Sequence, residues 1–143
     1  MTSLVVPIQI DGKFAGVAGV DIALSDLQKI IEPIRIYETG FATLISNKGM
    51  VVGDRDPQNV GKDMGKSESF NLARAAIAEG RNIETHFFSE RLQTDSTRVY
   101  VPIRIGNSQT PWSFAATVPD ETILAEVQQL RLISIGLGLL SIC

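Results

Sequence analysis

The chain has 143 residues, enough for one ordinary domain with parts of a neighbour. Its hydrophobic fraction of 44% and charged fraction of 20% are globular values, which exclude a disordered chain. The net charge is −3 and no basic block occurs, so no nucleic-acid partner is expected. The single cysteine, Cys143, excludes a disulfide within the chain and a cysteine-based metal site.

The first stretch is predicted to form a β-hairpin. Residues 4–10 are a β-like apolar run, Asp11-Gly12 is a strong two-residue turn signal, and residues 13–22 form the return strand. Pro7 predicts an edge position or a bulge in the first strand. Because an isolated hairpin is only marginally stable in water, these strands are expected to complete a larger sheet.

A short helix is predicted next. Ser25 and Gln28 have the spacing of a capping box, and Pro33 is expected to end or bend the helix. The apolar side of this helix comprises Leu24, Leu27, Ile30, Ile31 and Ile34. The turn at 37–40 is interpreted as a boundary between two modules.

From Phe41 onward the pattern predicts the order β-β-α-β-β-β. The helix is expected to begin at Ser67 or Ser69 and to end at Gly80, after a polar loop over 54–65. The predicted strands are 41–46, 50–53, 82–88, 98–105 and 112–118. This order indicates an α+β fold, an antiparallel sheet with a flanking helix.

The end of the chain is predicted to be helical. Asp120 is a suitable N-cap, and every residue after Arg131 is apolar or small. The run 132–143 is shorter than the roughly 20 residues that cross a bilayer, and such a length usually means a buried core helix. We favour the start of a transmembrane helix, because the run carries no charge and no C-terminal stop signal. A domain joined to a membrane in this way is expected to be a sensor.

Three segments, taken in order, resemble the double-Cache sensor region of bacterial methyl-accepting chemotaxis receptors and related sensor kinases. The segment 7–24, which contains Asp-Gly-Lys-Phe-Ala-Gly-Val-Ala-Gly-Val-Asp-Ile-Ala-Leu, resembles the end of the membrane-distal module. The segment 38–49, Glu-Thr-Gly-Phe-Ala-Thr-Leu-Ile-Ser-Asn-Lys-Gly, resembles the start of the membrane-proximal module. Tyr-Val-Pro-Ile at 100–103 and Pro-Trp-Ser-Phe at 111–114 resemble its last two strands.

The resemblance implies an organisation and a location for the chain. Residues 1–36 would be the C-terminal piece of the distal module, 37–119 the PAS-like proximal module, and 120–143 the signalling helix with the start of a transmembrane segment. It also implies a receptor in the inner membrane whose sensor part is periplasmic. Such receptors are expected to bind a small-molecule ligand and to form homodimers.

Asp21 is the first candidate ligand-binding residue. It interrupts an apolar run, where a buried carboxylate would need a partner. In amino-acid-binding members of the family that it resembles, the aspartate at this place in the motif contacts the ligand's ammonium group. The upstream part of that motif is not in this sequence. The alternative is an aspartate at a strand end that caps the next turn.

Arg98 and Tyr100 are the second pair of candidates. They are two residues apart in a predicted strand, so their side chains lie on the same face. A guanidinium group and a tyrosine hydroxyl are suited to holding a small carboxylate. The alternative is an exposed Arg98 and a half-buried Tyr100. The resemblance also implies that the proximal module often acts as a relay without its own ligand.

No catalytic or metal-binding motif stands out. The sequence has no P-loop, no dinucleotide-binding glycine motif and no paired nucleophile and base, so neither an enzyme nor a cofactor is expected. His86 with Glu84 and Glu90 is a weak metal pattern. The segment 54–65 lacks the glycine and the final glutamate of an EF-hand.

Three hypotheses remain open at this point. The first is the extracytoplasmic ligand-sensing domain of a chemotaxis receptor, which binds an amino acid or a small carboxylate. The second is the same Cache module on a histidine kinase or a diguanylate cyclase. The third is a soluble α+β enzyme, which predicts a polar C-terminus and a catalytic constellation.

Overall fold

The computed structural model describes residues 2–106 and 108–125, which form a two-stranded hairpin and a six-stranded antiparallel sheet. The hairpin consists of β1 (Thr2–Ile10) and β2 (Lys13–Ile22). The sheet consists of β3 (Arg35–Ile36), β4 (Gly40–Ile45), β5 (Val51–Asp54), β6 (Ile83–Ser89), β7 (Thr94–Ile103) and β8 (Trp112–Pro119). The helices are α1 (Leu24–Ile31) and α2 (Glu68–Glu79), with a short 3-10 turn at Pro57–Asn59. The predicted α+β fold is confirmed.

The strand order in the sheet is β3-β4-β8-β7-β6, and β5 also pairs with β4. Every pairing is antiparallel. The last strand, β8, therefore lies in the middle of the sheet, between β4 and β7. From β4 onward the chain has the order β-β-α-β-β-β that its sequence predicts.

The two helices cover opposite faces of the sheet. Ala42 and Leu44 of β4 pack in one cluster with Ile31 of α1. Ile45, the next residue of the same strand, packs in a second cluster with Ile77 of α2. Because successive side chains of a strand point to opposite faces, α1 and α2 lie on different sides of the sheet. We call these the α1 face and the α2 face.

The start of α1 differs from the predicted capping box. The helix begins at Leu24, and its N-cap residue Ala23 provides no side-chain hydrogen bond. Gln28 is instead buried and bonds the backbone of Asp54, with its amide nitrogen 2.5 Å from the carbonyl oxygen and its amide oxygen 3.0 Å from the N–H. The capping-box prediction was wrong because the amide of Gln28 joins α1 to β5.

Close packing defines the α1 face. A Cβ atom placed on Gly53 would lie 2.8 Å from Cγ1 of Ile31, which is closer than such carbons approach. The absence of a side chain at this position therefore allows α1 to lie directly on β5. Although α1 precedes the predicted module boundary at 37–40, it forms part of the core of the sheet.

The hairpin is exposed on both sides. Asp11 and Gly12 form its turn with φ angles of 50° and 74°, as the Asp-Gly signal predicts. A register shift between Ile8 and Gln9 marks the bulge that follows Pro7. Val5 and Val6 point to opposite faces and are 60% and 63% exposed, so neither face is covered by the part of the chain that the structure describes.

A helical segment at 120–125 follows β8 without a linker. Asp120 is its first residue. The predicted transmembrane run at 132–143 lies outside the described residues. Within 2–106 and 108–125, no helix is long and apolar enough to span a membrane.

Candidate ligand site

An open cavity of about 620 Å³ lies between α2, the loop at 55–67 and the α2 face of the sheet. This volume falls within the roughly 300–1,000 Å³ that is typical of small-molecule pockets. The apolar side chains around the cavity include Phe41, Ile45, Val51, Met64, Phe70 and Phe87. The cavity can therefore cover an apolar ligand body.

The two ends of α2 fix its position beside the cavity. At the first end, the Ser67 hydroxyl accepts a hydrogen bond from the backbone N–H of Phe70. At the other end, Gly80 adopts the left-handed conformation with a φ of 67°. The predicted start at one of the two serines and the predicted stop at Gly80 are both confirmed.

Arg74 ties α2 to the loop and to the β4–β5 turn. Its guanidinium donates to the Asp63 carboxylate at 2.8 Å and to the Lys48 carbonyl at 2.8 Å. The hydrogen bond from Arg74 holds the pKa of Asp63 below its ordinary value, with a further contribution from the Gly65 N–H. The loop that forms one wall of the cavity is thus anchored to the helix.

Arg98 of β7 lies on the cavity wall and is half-buried. Its Nε donates to the Thr117 hydroxyl of β8 at 2.6 Å. The centre of the guanidinium lies 4.7 Å from the Phe87 ring, 5.8 Å from the Phe70 ring and 5.9 Å from the Phe41 ring. Among the residues that the structure describes, no carboxylate lies within 4.0 Å of this guanidinium. Arg98 is therefore a cation that lies next to three aromatic rings and has no acidic partner among the described residues.

Arg91 lines the same cavity but is paired with two carboxylates. Its Nη2 lies 2.7 Å from the Asp54 carboxylate and 3.6 Å from the Asp56 carboxylate. The guanidinium also stacks on Phe41, 4.4 Å from the ring centre. The Asp54 side chain is 5% exposed and also accepts a hydrogen bond from the Thr43 hydroxyl at 2.7 Å. This pair is a structural part of the cavity wall.

Tyr100 does not line the cavity. Its side chain lies on the same face of β7 as Arg98, as predicted, but it is fully buried in the core beneath α2. Within the described residues its hydroxyl has no hydrogen-bond partner, and the same holds for the buried hydroxyl of Thr85. The structure therefore separates the two residues that the sequence pairs: Arg98 borders the cavity and Tyr100 belongs to the core.

Asp21 lies in the hairpin, near the end of β2, and its residue is exposed. Ser3 is its cross-strand neighbour and donates a short hydrogen bond to the carboxylate. The apolar run predicts a buried carboxylate, but the structure places Asp21 at an exposed position. Asp21 and the cavity belong to different parts of the fold, since one lies in the hairpin and the other on the sheet.

The start of the final helical segment is bonded to β7. The Thr97 hydroxyl donates to the Asp120 carboxylate at 2.6 Å and lies 2.9 Å from Nδ1 of His86. Nε2 of His86 lies 3.3 Å from the Glu84 carboxylate. Within the described residues, no group of three histidine, cysteine or acidic side chains could hold a metal ion.

Sequence reasoning misses Asp54, Arg91 and the aromatic rings around Arg98. Phe87 shares its face with Thr85 and Ser89 through the alternation of β6, a pattern visible in the sequence. The pairing of Asp54 with Arg91 joins positions 37 residues apart, and no local pattern indicates it.

No family model matches the chain. Methyl-accepting chemotaxis protein TlpQ of Pseudomonas aeruginosa is 30% identical over 130 residues, which cover 87% of this chain and 17% of that receptor. Methyl-accepting chemotaxis protein PscA of Pseudomonas syringae pv. tomato is 31% identical over 74 residues, which cover 52% of this chain and 12% of that receptor. The chain therefore spans less than one fifth of the curated relatives that it matches.

Solved structures show the same fold. The extracellular domain of mmHK1S-Z3, described as a histidine kinase, has a TM-score of 0.79 and 26% identity, over 90% of this chain and 47% of that domain. The ligand-binding domain of the Pseudomonas aeruginosa amino acid chemoreceptor PctB, in complex with L-Arg, has a TM-score of 0.58 and 22% identity, over 91% of this chain and 48% of that domain. The chain is thus homologous to methyl-accepting chemotaxis proteins, and it has the Cache type of fold found in chemoreceptor and histidine-kinase sensor domains, of which it spans about half.

Proposed function

We propose that the chain is the extracytoplasmic ligand-sensing part of a chemotaxis receptor. An amino acid or a small carboxylate binds it, and the resulting conformational change passes through the final helix into the membrane. The homology to TlpQ and the open cavity support this function. The solved structures of PctB with L-Arg and of CtaA with L-isoleucine support a ligand of this class, since both are chemoreceptor domains of the same fold.

The observation that carries the proposal is the short path from the cavity to the final helix. Two adjacent residues of β7 lie at the two ends of this path. Arg98 borders the cavity, and Thr97 bonds Asp120 at the start of the helical segment. Arg98 also bonds Thr117, three positions before Asp120 on the strand that enters the helix. A ligand that moves the guanidinium of Arg98 therefore acts on β8 directly. Such a shift needs only two states that the ligand stabilises unequally.

The proposed organisation follows the predicted modules. Residues 1–36 close a distal module, although α1 and β3 within this stretch pack on or pair with the sheet of the next module. Residues 37–119 form the proximal module, and 120–143 carry the signal toward the membrane. In this arrangement the sensor part is periplasmic, the receptor is in the inner membrane, and two copies form a homodimer. The packing of α1 on β5 supports communication between the two modules, because α1 directly follows the hairpin.

Both candidate sites remain part of the proposal. Asp21 is proposed to contact the ammonium group of a ligand in the distal module, where its exposed carboxylate has Ser3 as a neighbour. Arg98 is proposed to contact a carboxylate in the proximal module. Tyr100, which the sequence predicts as a second contact of that carboxylate, is fully buried beneath α2 and does not line the cavity, so it is not proposed as a direct contact.

A thermal-shift screen of the chain against amino acids and small carboxylates tests this function. A ligand that binds only the folded state raises the melting temperature by mass action. A shift that disappears in Asp21→Ala places the ligand on the hairpin, and a shift that disappears in Arg98→Gln places it in the cavity. No shift with any compound of the panel would contradict a sensor for these ligands.

The alternative is the same module on a histidine kinase. The specific observation in its favour is the similarity to the extracellular domains of mmHK1S-Z3 and mmHK1S-Z2, the latter with a TM-score of 0.73 and 29% identity. Both alternatives need the same ligand site and the same helix. The sequence downstream of the final helix in the parent gene separates them, since a chemoreceptor and a kinase carry different output domains.

A further inference from the structure

Arg98 differs from Arg91, which also lines the cavity, and from Arg74 of α2. Arg91 is paired with Asp54 and Asp56, and Arg74 is paired with Asp63. Arg98 lines the cavity without an acidic partner in the described part of the chain, and its one side-chain bond leaves from Nε to Thr117. A half-buried cation without an acidic partner favours the binding of an anion.

The bond to Thr117 also decides which edge of the guanidinium is available. Because Nε is occupied, the two terminal nitrogens of Arg98 remain as a pair of parallel donors. This geometry matches the two oxygens of one carboxylate, which accept two hydrogen bonds side by side. The three phenyl rings around the guanidinium lower the local dielectric constant and so strengthen such an ion pair.

The charge of the lining favours a singly charged ligand. Three acidic residues (Asp54, Asp63 and Glu90) and three basic residues (Lys62, Arg91 and Arg98) line the cavity, so their formal charges cancel. Asp54 is paired with Arg91 and Asp63 with Arg74. Of the charged lining residues that remain, Lys62 and Glu90 are exposed and Arg98 is half-buried. Because Arg91 is already paired with Asp54 and Asp56, a doubly charged anion would find no second unpaired, half-buried cation in the lining among the described residues.

We propose that the cavity on the α2 face binds a small monocarboxylate with an apolar body. The carboxylate accepts two hydrogen bonds from the terminal nitrogens of Arg98, and the apolar body lies among Phe41, Phe70 and Phe87. The inference deepens the proposed sensing function and rests on it for its biological meaning. Its binding test does not depend on signalling.

The test uses phenylacetate as the probe, with isothermal titration calorimetry on the full chain. Phenylacetamide has the same body without the charge, and L-phenylalanine carries the same ring and a carboxylate together with an ammonium group. We expect phenylacetate to bind, and to bind more tightly than either compound, because Asp54 and Asp63 are already paired with arginines and Glu90, the other acidic residue of the lining, is exposed. Tighter binding of L-phenylalanine would overturn the monocarboxylate assignment, and equal binding of the amide would overturn the ion pair.

Two variants and one control locate the site. Arg98→Gln is expected to weaken phenylacetate binding about tenfold or more, since it removes a charge-assisted pair of hydrogen bonds. Arg104→Gln removes an exposed arginine outside the cavity and is expected to leave the affinity unchanged. If Arg98→Gln does not fold, Arg98→Lys keeps the charge but loses the paired donors, and it is expected to weaken binding as well.

The outcomes separate this inference from the proposed function. Undiminished phenylacetate binding in the Arg98 variants, or no binding by the unmodified chain at millimolar concentration, would overturn the carboxylate site. Amino acids that still raise the melting temperature, with loss of the shift in Asp21→Ala, would in that case leave the sensor function intact. If neither phenylacetate binding nor a shift of the melting temperature with amino acids is observed, both the carboxylate site and the proposed sensor function are contradicted.

Discussion

The two faces of the sheet differ in how their helices meet it. On the α1 face, Ile31 lies so close to Gly53 that no Cβ atom fits between helix and strand. On the α2 face, the helix contacts the core through Ala73 and Ile77 but stands away from the sheet near Arg98, where the cavity lies. One sheet thus has a tightly packed face and an open face that holds the cavity.

The difference arises from the type of side chain that each helix presents. Along α1, Gln28 and Ile31 face the strands and make direct contacts with β5 and its neighbours. Near the start of α2, the bulky Phe70 lies against Gly65 and Phe87, and the helix is held by bonds to the loop. Large rings and a loop therefore keep the α2 face open. The following predictions test this comparison, from the largest expected effect to the smallest.

Ile31→Ala should have the largest effect, because it removes the side chain on which the α1 face is packed. We expect the free energy of unfolding to fall by about 2–5 kcal/mol, from lost burial and the space left behind. Ile30→Ala, in the adjacent position of the same helix, is the matched control, since Ile30 is 64% exposed and Ile31 is 5% exposed. Denaturant unfolding measures both. Equal losses in the two variants would show that α1 does not pack as described.

Arg91→Met should destabilise the wall of the cavity. It removes a guanidinium from the buried Asp54 carboxylate, which keeps hydrogen bonds from Thr43 and Asn59. We expect a loss of about 2 kcal/mol in the free energy of unfolding, as for other hydrogen bonds to charged groups. The exposed pair of Arg81 with Glu79 provides the control, and Arg81→Met should change the free energy by less than about 0.5 kcal/mol. An equal loss of unfolding free energy in Arg91→Met and Arg81→Met would contradict a structural role for the buried pair of Arg91 with Asp54.

Gln28→Leu tests the connection between α1 and β5. The variant leaves the N–H and the carbonyl of Asp54 without the partners that Gln28 provides. We expect a loss of about 1–2 kcal/mol in the free energy of unfolding, since both backbone groups are buried. Lys29→Leu, on the exposed side of the same helix, should have little effect. Native-state hydrogen exchange at the Asp54 amide gives an independent readout, and an unchanged rate would argue against the bond.

The smallest expected effect is a change in the pKa of Asp63. The arginine at position 74 lowers this pKa, so Arg74→Gln should raise it toward the ordinary aspartate value. A depressed pKa stabilises the folded state above the unfolded pKa, and this contribution is lost as the pH falls through the folded pKa. Titration of the carboxyl carbon by NMR checks the direction. An identical pKa in the variant would show that the loop is not tied to α2 by this pair.

Local patterns predict much of this fold. The Asp11-Gly12 turn, the Ser67 cap, the Gly80 stop and the order of strands from β4 all follow from signals within a few residues of each element. The start of β7 is less visible. It begins at Thr94 and not at Arg98, because the polar residues 94–97 pair with residues 86–89 of β6. Backbone pairing thus overrides the weak strand signal of polar residues.

The candidate site depends on contacts between distant positions. The alternation of β7 places Arg98 and Tyr100 on one face, but only the packing of α2 buries Tyr100 and leaves Arg98 beside a cavity. The role of Gln28 was mispredicted for the same reason, since its partner Asp54 is 26 residues away. Sequence spacing therefore identifies the face, and the tertiary packing decides which residues on that face can meet a ligand.

Hydrogen exchange measured by mass spectrometry, with and without phenylacetate, tests most directly whether the open α2 face is the ligand face. Exchange reports local opening, which a bound ligand suppresses where it contacts the protein. We predict slower exchange in α2 and β7, little change in the hairpin, and loss of the effect in Arg98→Gln. Slower exchange confined to the hairpin and α1, with α2 and β7 unchanged, would contradict the account and would place the ligand site near Asp21.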